Sequence, residues 1–169
     1  DFGEKDVLVK TAEYIAKGKV VGWMNGRMEF GPRALGSRSI LADPRSPKMQ
    51  KKLNLKVKNR ESFRPFAPSV MAEEADKWFK VNTPSPYMLI VSEVTDNKKI
   101  ELEEDIERLT IGFKKLDIER STIPAVTHVD YSSRVQTVDE SSNPVFHKLI
   151  SEFYNLTGCP VLINTSFNV

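Results

Sequence analysis

The sequence predicts a single α/β domain. Two observations carry this: apolar residues recur at helical spacing in some segments and in short strand-length runs in others, and these segments alternate along all 169 residues without a linker, repeat or low-complexity tract. A hydrophobic fraction of 40% and a charged fraction of 28% are those of a globular chain. At this length one core stands alone.

"DVLVKTAEYIAKGK" places Val7, Val9, Ala12 and Ile15 at helical spacing and meets a helix stop at Gly18. "KVVGWM" and "SRSILA" read as strands on either side of a glycine–arginine loop. Ser46-Pro47 opens a helix over "SPKMQKKLNLKV", with Pro47 at the first helical position. "FAPSVM" is a short strand, "AEEADKWF" a short helix, and "SPYMLIVSEV" a strand. Thr95 to Pro124 is the least regular stretch, expected to be a helical insertion or a lid. "AVTHVD" and "SRVQTV" are expected to pair as strands joined around Tyr131-Ser132. "NPVFHKLISEFYNLTG" is an amphipathic helix, capped by Asn143, started by Pro144 and stopped by Gly158. "CPVLINTSFNV" begins as a buried strand, and its polar end at the last residues gives the expectation of a piece of a longer protein.

Charge and composition exclude several function classes. The net charge is only +2, but Arg45 to Arg64 carries eight cations against Glu61 alone, while "ELEEDIER" is acidic. Such segregation suits anionic ligands, although solvated lysines explain much of it. No apolar run has membrane-span length and the N-terminus does not read as a signal peptide. The single cysteine, Cys159, sits in apolar "CPVLIN" as a packing residue, in keeping with a cytoplasmic protein. There is no CxxC pair, no HxxH or HExxH, no G-x-S-x-G elbow and no G-x-G-x-x-G fingerprint. Metal ligands are expected to be none.

Three clusters remain. In "EFGPRALGSR", Gly31 and Gly36 have P-loop spacing, but Ser37 replaces the lysine and no helix follows. The loop still offers close backbone approach and the forked donors of Arg27, Arg33 and Arg38, which match phosphate or carboxylate oxygens. In "LKVKNRESFRPFAPSV", Lys58 and Arg60 would share a face of extended chain. In "NTSFN", Ser166 and Asn168 alternate at the carboxyl end of a strand, where α/β folds bind ligands.

These clusters resemble the YrdC-like family, whose opening "G-x-V-V", K-x-R element, "R-P-x-x-x-P" stretch and S-x-N element have counterparts in "GKVV", Lys58-Asn59-Arg60, "RPFAP" and Ser166-Phe167-Asn168. The strings "GRMEFGPRALGSRSILADPR", "FRPFAPSV", "AVTHVD", "RVQTV" and "GCPVLINTSFN" are closer still to the C-terminal domain of the NodU/CmcH type O-carbamoyltransferases. That resemblance runs from about Asp6 to Val169. It implies one YrdC-like domain over 1–169, a twisted mixed sheet flanked by helices, truncated where the family continues with a G-E-P-like stretch. It implies a transferase activity in which ATP and carbamoyl phosphate form carbamoyl-adenylate, with pyrophosphate and phosphate released. An N-terminal domain of the same polypeptide, absent from this chain, would pass the carbamoyl group to an acceptor hydroxyl.

On that reading Arg33, Lys58 and Arg60 are the catalytic cations. Arg27, Arg38, Arg134, His128, Asn164, Thr165, Ser166 and Asn168 bind substrate. Mg²⁺ accompanies ATP, with Glu29 either near it or structural. The family reads "HVDG[TS][AS]R" where this chain has Tyr131 and Ser133, which bears on the turn beside His128. The competing readings are an RNA-binding module, disfavoured because few aromatics interleave with the basic run, and an inactive docking scaffold.

Overall fold

The computed structural model describes residues 3–102 and 104–167. Its centre is a six-stranded mixed sheet in the order β1-β2-β6-β3-β5-β4. The strands are β1 (Val21–Met24), β2 (Arg38–Ala42), β3 (Ala67–Met71), β4 (Ile90–Glu93), β5 (Ser132–Val138) and β6 (Val161–Ser166). Only β3 and β5 run parallel; every other neighbouring pair is antiparallel. The last strand therefore enters between β2 and β3 and joins the two halves of the sheet. The expectation of a mixed sheet flanked by helices holds.

Helix α1 (Glu4–Ala16) packs against α5 (Pro144–Thr157), and α5 against β3 and β6, while the short helix α3 (Ala75–Trp78) follows β3. Helix α5 forms because Phe146, Leu149, Ile150 and Phe153 fall on one stripe, and all four are fully buried. Asn143 Oδ1 accepts from Phe146 N at 3.3 Å, Pro144 opens the first turn, and Gly158 ends the helix at φ 70°. Val161, Ile163, Val70 and Val135 of the sheet belong to the same core, all without exposed surface.

Three expectations shift. Helix α2 (Met49–Lys56) begins two residues after Pro47, because Pro47 lies in the turn closed by Met49 N donating to Ser46 O. Strand β4 is only the end of "SPYMLIVSEV". The expected hairpin of "AVTHVD" with "SRVQTV" does not exist. Pro124–Val126 forms a 3-10 turn instead, and β5 already has β3 and β4 on its two edges. The chain between them closes as a tight turn, with His128 N donating to Ser132 O and Tyr131 N to His128 O. Tyr131 takes φ 64° there, the left-handed backbone that the family's glycine would adopt without strain.

The 95–124 stretch is an insertion of short helical pieces, including α4 (Glu104–Leu109) and a 3-10 turn at Gly112–Asp117. Among the described residues, no helix is long and apolar enough to cross a membrane.

Candidate functional site

The glycine–arginine loop turns its backbone donors inward. Glu29 Oε1 accepts from Leu35 N at 3.0 Å and from Ser37 N at 2.5 Å, while Gly36 N donates to Ser39 Oγ. Arg38 completes this knot: its Nε lies 3.2 Å from Glu29 Oε2, and its Nη2 donates to the carbonyls of Gly31 and Arg33. The loop is thus stapled by its own carboxylate. Glu29 and Arg38 hold its shape, and Arg27 is exposed. Gly36, at φ 111°, packs so tightly that an added Cβ would lie 2.2 Å from the Phe146 ring. Trp23 Nε1 donates to its carbonyl from β1.

Of the loop's three arginines, Arg33 is the one that reaches a cleft, flanked there by Pro32 and Ala34. Together with Lys58, Arg60 and Arg134 it lines a cleft of about 210 Å³, along with Asn164, Thr165 and Ser166 at the end of β6. Seven of the residues expected from sequence thus meet in one place, drawn from the opening loop, the turn after α2, the start of β5 and the end of β6. Arg27 and Arg38 are not among the residues lining that cleft. Asn168 lies outside the described residues. His128 lines a neighbouring cavity instead.

Each cation is placed by a specific local device. Asn59 at φ 47° ends the turn after α2 and separates Lys58 from Arg60. Lys58 is only 2% exposed and its Nζ donates to Ser166 O at 2.6 Å, joining the K-x-R element to β6 across more than a hundred residues of sequence. Burial, and then the charge of Arg60, hold its ammonium below the ordinary lysine range. Arg60 Nε donates to Asn54 Oδ1 at 2.8 Å and the guanidinium lies 5.0 Å from the centre of the Phe66 ring. Arg134 is half-buried; burial and then the charge of Arg33 lower its proton affinity. Arg33 and Arg134 each keep Nε buried without a hydrogen-bond partner. Among the described residues no carboxylate lines the cleft, and none of Arg33, Arg60 and Arg134 forms an ion pair.

Of the lining residues, Asn164 belongs to a polar network on one face of the sheet. Asn164 Nδ2 donates to Ser69 Oγ at 3.0 Å and to Gln136 Oε1 at 2.9 Å; Ser69 Oγ also donates to Gln136 Oε1. Gln136 Nε2 then donates to Leu35 O at 2.8 Å, tying the opening loop to the middle of the sheet. These three side chains meet because Ser69 pairs with both Gln136 and Leu162, two residues before Asn164. Asn164 Oδ1 is left buried and without a partner. Sequence reasoning misses Ser69 and Gln136; a serine and a glutamine inside apolar strands are the available signal.

Cations that converge on a cleft without a lining carboxylate are costly to assemble unless an anionic ligand joins them. The donor set, guanidinium forks with an ammonium and the side chains of Thr165 and Ser166, matches phosphate or carboxylate oxygens. It does not match a protein-held Mg²⁺. Among the described residues the cleft has no lining carboxylate, Glu29 is engaged in its loop, and no metal-ligating cluster occurs.

The chain is 54% identical over 168 residues to an uncharacterized protein of Synechocystis sp., covering 99% of this chain and 27% of that protein. It is 43% identical to nodulation protein NolNO of Sinorhizobium fredii, over 96% of this chain and 21% of that one. It is 41% identical to a 3'-hydroxymethylcephem-O-carbamoyltransferase of Amycolatopsis lactamdurans, over 91% of this chain and 25% of that enzyme. The chain thus spans about a quarter of the length of these relatives. The family model described as carbamoyltransferase C-terminus matches residues 12–169, through every strand and the whole cation cleft, and the chain belongs to that family.

Proposed function

We propose that the domain is the activating part of an O-carbamoyltransferase, with ATP and carbamoyl phosphate as its substrates. The observation that carries this reading is the cleft of Arg33, Lys58, Arg60 and Arg134 over Asn164, free of lining carboxylates among the described residues. The carbamoyltransferase named among the relatives supports the reaction class.

The chemistry joins two anions. Water and carbamoyl phosphate give phosphate and carbamate. A carbamate oxygen then attacks the α-phosphorus of ATP, its P–O bond to the leaving group breaks, and pyrophosphate departs. The products are carbamoyl-adenylate, pyrophosphate and phosphate. Repulsion between the reacting anions is offset by fixed cations that need no rearrangement when charge shifts to the leaving group. Arg33 and Arg134, each with an unpartnered Nε, hold phosphate or carbamate oxygens. Lys58 and Arg60, fixed to Ser166 O and Asn54, present further charge to the same ligand. Asn164 Oδ1, an acceptor among donors, suits the carbamoyl amino group. Thr165 and Ser166 orient the phosphate chain or ribose. Mg²⁺ arrives as the counter-ion of the nucleotide. Transfer to an acceptor hydroxyl belongs to the rest of a longer polypeptide.

The test is release of pyrophosphate from ATP that requires carbamoyl phosphate, measured on the full-length protein and on its Arg134→Met variant. Carbamoyl-phosphate-dependent release that falls at least tenfold in the variant agrees with the proposal. Release that ignores carbamoyl phosphate, or survives the substitution, contradicts it.

A further inference from the structure

Helix α2 buries one face and leaves the other unpartnered. Met49, Leu53 and Asn54 are buried. Lys48, at its N-cap, and then Lys51, Lys52, Leu55 and Lys56 fall at i, i+3, i+4, i+7 and i+8, and all five are exposed. With Phe113 and Lys114 of the insertion they line a groove of about 710 Å³, larger than the cation cleft and sharing no residue with it. We infer that this groove receives the acidic helix α4 of a second copy of the protein, in a two-fold pair independent of the nucleotide reading above.

The groove is short of anions. Its five lysines stand against Asp117. Lys52 Nζ donates to Gly18 O at 2.7 Å, at the end of α1, but among the described residues none of the five forms an ion pair. Like charges at i, i+4, as in Lys48–Lys52 and Lys52–Lys56, work against the helix, and a negatively charged partner removes that repulsion. The groove is also apolar among its lysines: Leu55 is 51% exposed and Phe113 is 73% exposed. A small anion would leave these two side chains wet, whereas an acidic helix that carries apolar residues covers them.

The complementary surface lies on the same chain. The sequence "ELEEDIERL" at 101–109 holds five acids against Arg108. On α4, Ile106 and Leu109 are three residues apart and so share a face; they are 43% and 69% exposed, with Asp105 exposed beside them. Ile111, just beyond the helix, is 80% exposed. Apolar side chains flanked by acids match Leu55 and Phe113 flanked by lysines, in both charge and polarity. The helix does not fill its own groove. Among the described residues none of 101–109 lines it, and Ile106 and Leu109 face solvent.

Proximity makes the exchange mutual. Leu109 stands four residues before Phe113, which lines the groove, so the chain holds the two within about 14 Å of each other. A two-fold axis beside them sets each α4 over the groove of the other copy. One pair of complementary patches is then buried twice, and the assembly closes at two copies. The insertion, irregular in sequence, thereby acquires a use as both the helix that is given and one wall of the groove that receives it.

Sedimentation velocity on the full-length protein tests the pairing, with Lys51→Glu/Lys56→Glu in the groove and Glu101→Lys/Asp105→Lys in the acidic segment, each checked for cooperative unfolding. The wild type is expected to dimerise with rising concentration at low salt and to dissociate at about 1 M salt, where charges act over only about 3 Å. Each double variant is expected to dimerise at least roughly tenfold more weakly, because like charges then face each other. An equimolar mixture of the two variants is expected to dimerise as the wild type does, since reversed groove meets reversed helix and native groove meets native helix. A wild type that stays monomeric at every concentration and salt overturns the inference. So does a dimer that neither reversal weakens, or one that the mixture fails to restore.

Discussion

Arg33 and Arg134 face one cleft from segments a hundred residues apart, each with a buried, unpartnered Nε, and the charge of Arg33 lowers the proton affinity of Arg134. Two like charges held this way are an arrangement that favours ligand over stability. Arg134→Met is therefore expected to leave the melting temperature unchanged or raise it. Among the described residues the Arg134 side chain donates only to Met88 Sδ, from Nη2 at 3.9 Å, and a weak sulfur acceptor is a small loss. Affinity for triphosphate should fall by roughly tenfold to a hundredfold, the worth of a charge-assisted hydrogen bond. A large drop in stability measured by thermal unfolding would assign Arg134 a structural role instead.

Asn164 is expected to behave in the opposite way. Its amide links β6 to Ser69 and Gln136, and through Gln136 to the loop that carries Arg33. Asn164→Ala leaves Gln136 Oε1 and Ser69 Oγ with fewer partners in a buried place and should cost about 1–3 kcal/mol in urea unfolding. Ligand affinity should also fall, because the loop's anchor is weakened.

The two loop glycines separate backbone strain from crowding. Gly31 and Gly36 both have positive φ, 126° and 111°, but only Gly36 has a neighbour in the way. Gly36→Ala must displace the Phe146 ring from a closed core and is expected to lose more than about 2 kcal/mol. Gly31→Ala meets open space and should lose about half as much or less. Equal losses in chemical denaturation would mean that Phe146 is not what excludes a side chain.

His128 should show in the pH dependence of stability. Burial, the largest influence, and the charge of Arg134 depress its proton affinity, against an opposing effect of Asp130. The folded pKa lies below the unfolded value of 6.5. Between the two, the unfolded chain binds more protons, so stability rises with pH through that window and is lost as pH falls through it. His128→Gln should flatten the curve in the window just below 6.5, as followed by urea midpoints across that range. An unchanged curve would show that His128 titrates normally. Asp130 acts lower: hydrogen bonds from Ser132 are the first cause of its depressed pKa, and its contribution is lost only as pH falls below 3.8.

Cys159 is buried, and its thiol is pushed up to about 12 by that burial. It should resist alkylation in the native state and react at the rate of unfolding. Rapid labelling of the folded protein would show that β6 opens locally.

Much of the architecture is legible in the sequence because its signals are local. The stripe in α5 with Asn143, Pro144 and Gly158, and the apolar runs of β1, β2, β3, β5 and β6, need no tertiary information. The false hairpin shows the limit. "AVTHVD" alternates like a strand, but strand pairing depends on a free edge, and both edges of β5 are taken by segments distant in sequence. The site is legible as residue types rather than as roles. Arg27, Arg33 and Arg38 look alike in the sequence. Only the fold shows that Arg38 is bound to Glu29, that Arg33 reaches the cleft and that Arg27 does not. The network of Asn164, Ser69 and Gln136 depends on register across three strands, which no local pattern encodes.

The central claim is that the cleft binds the nucleotide's phosphates. Titration calorimetry of the chain with ATP and Mg²⁺, with and without carbamoyl phosphate, on the wild type and on Arg33→Ala tests it most directly. The account predicts saturable binding of ATP that is lost or weakened at least tenfold in the variant, with the fold intact. Binding that is the same in both proteins, or none by a folded wild type, would contradict it.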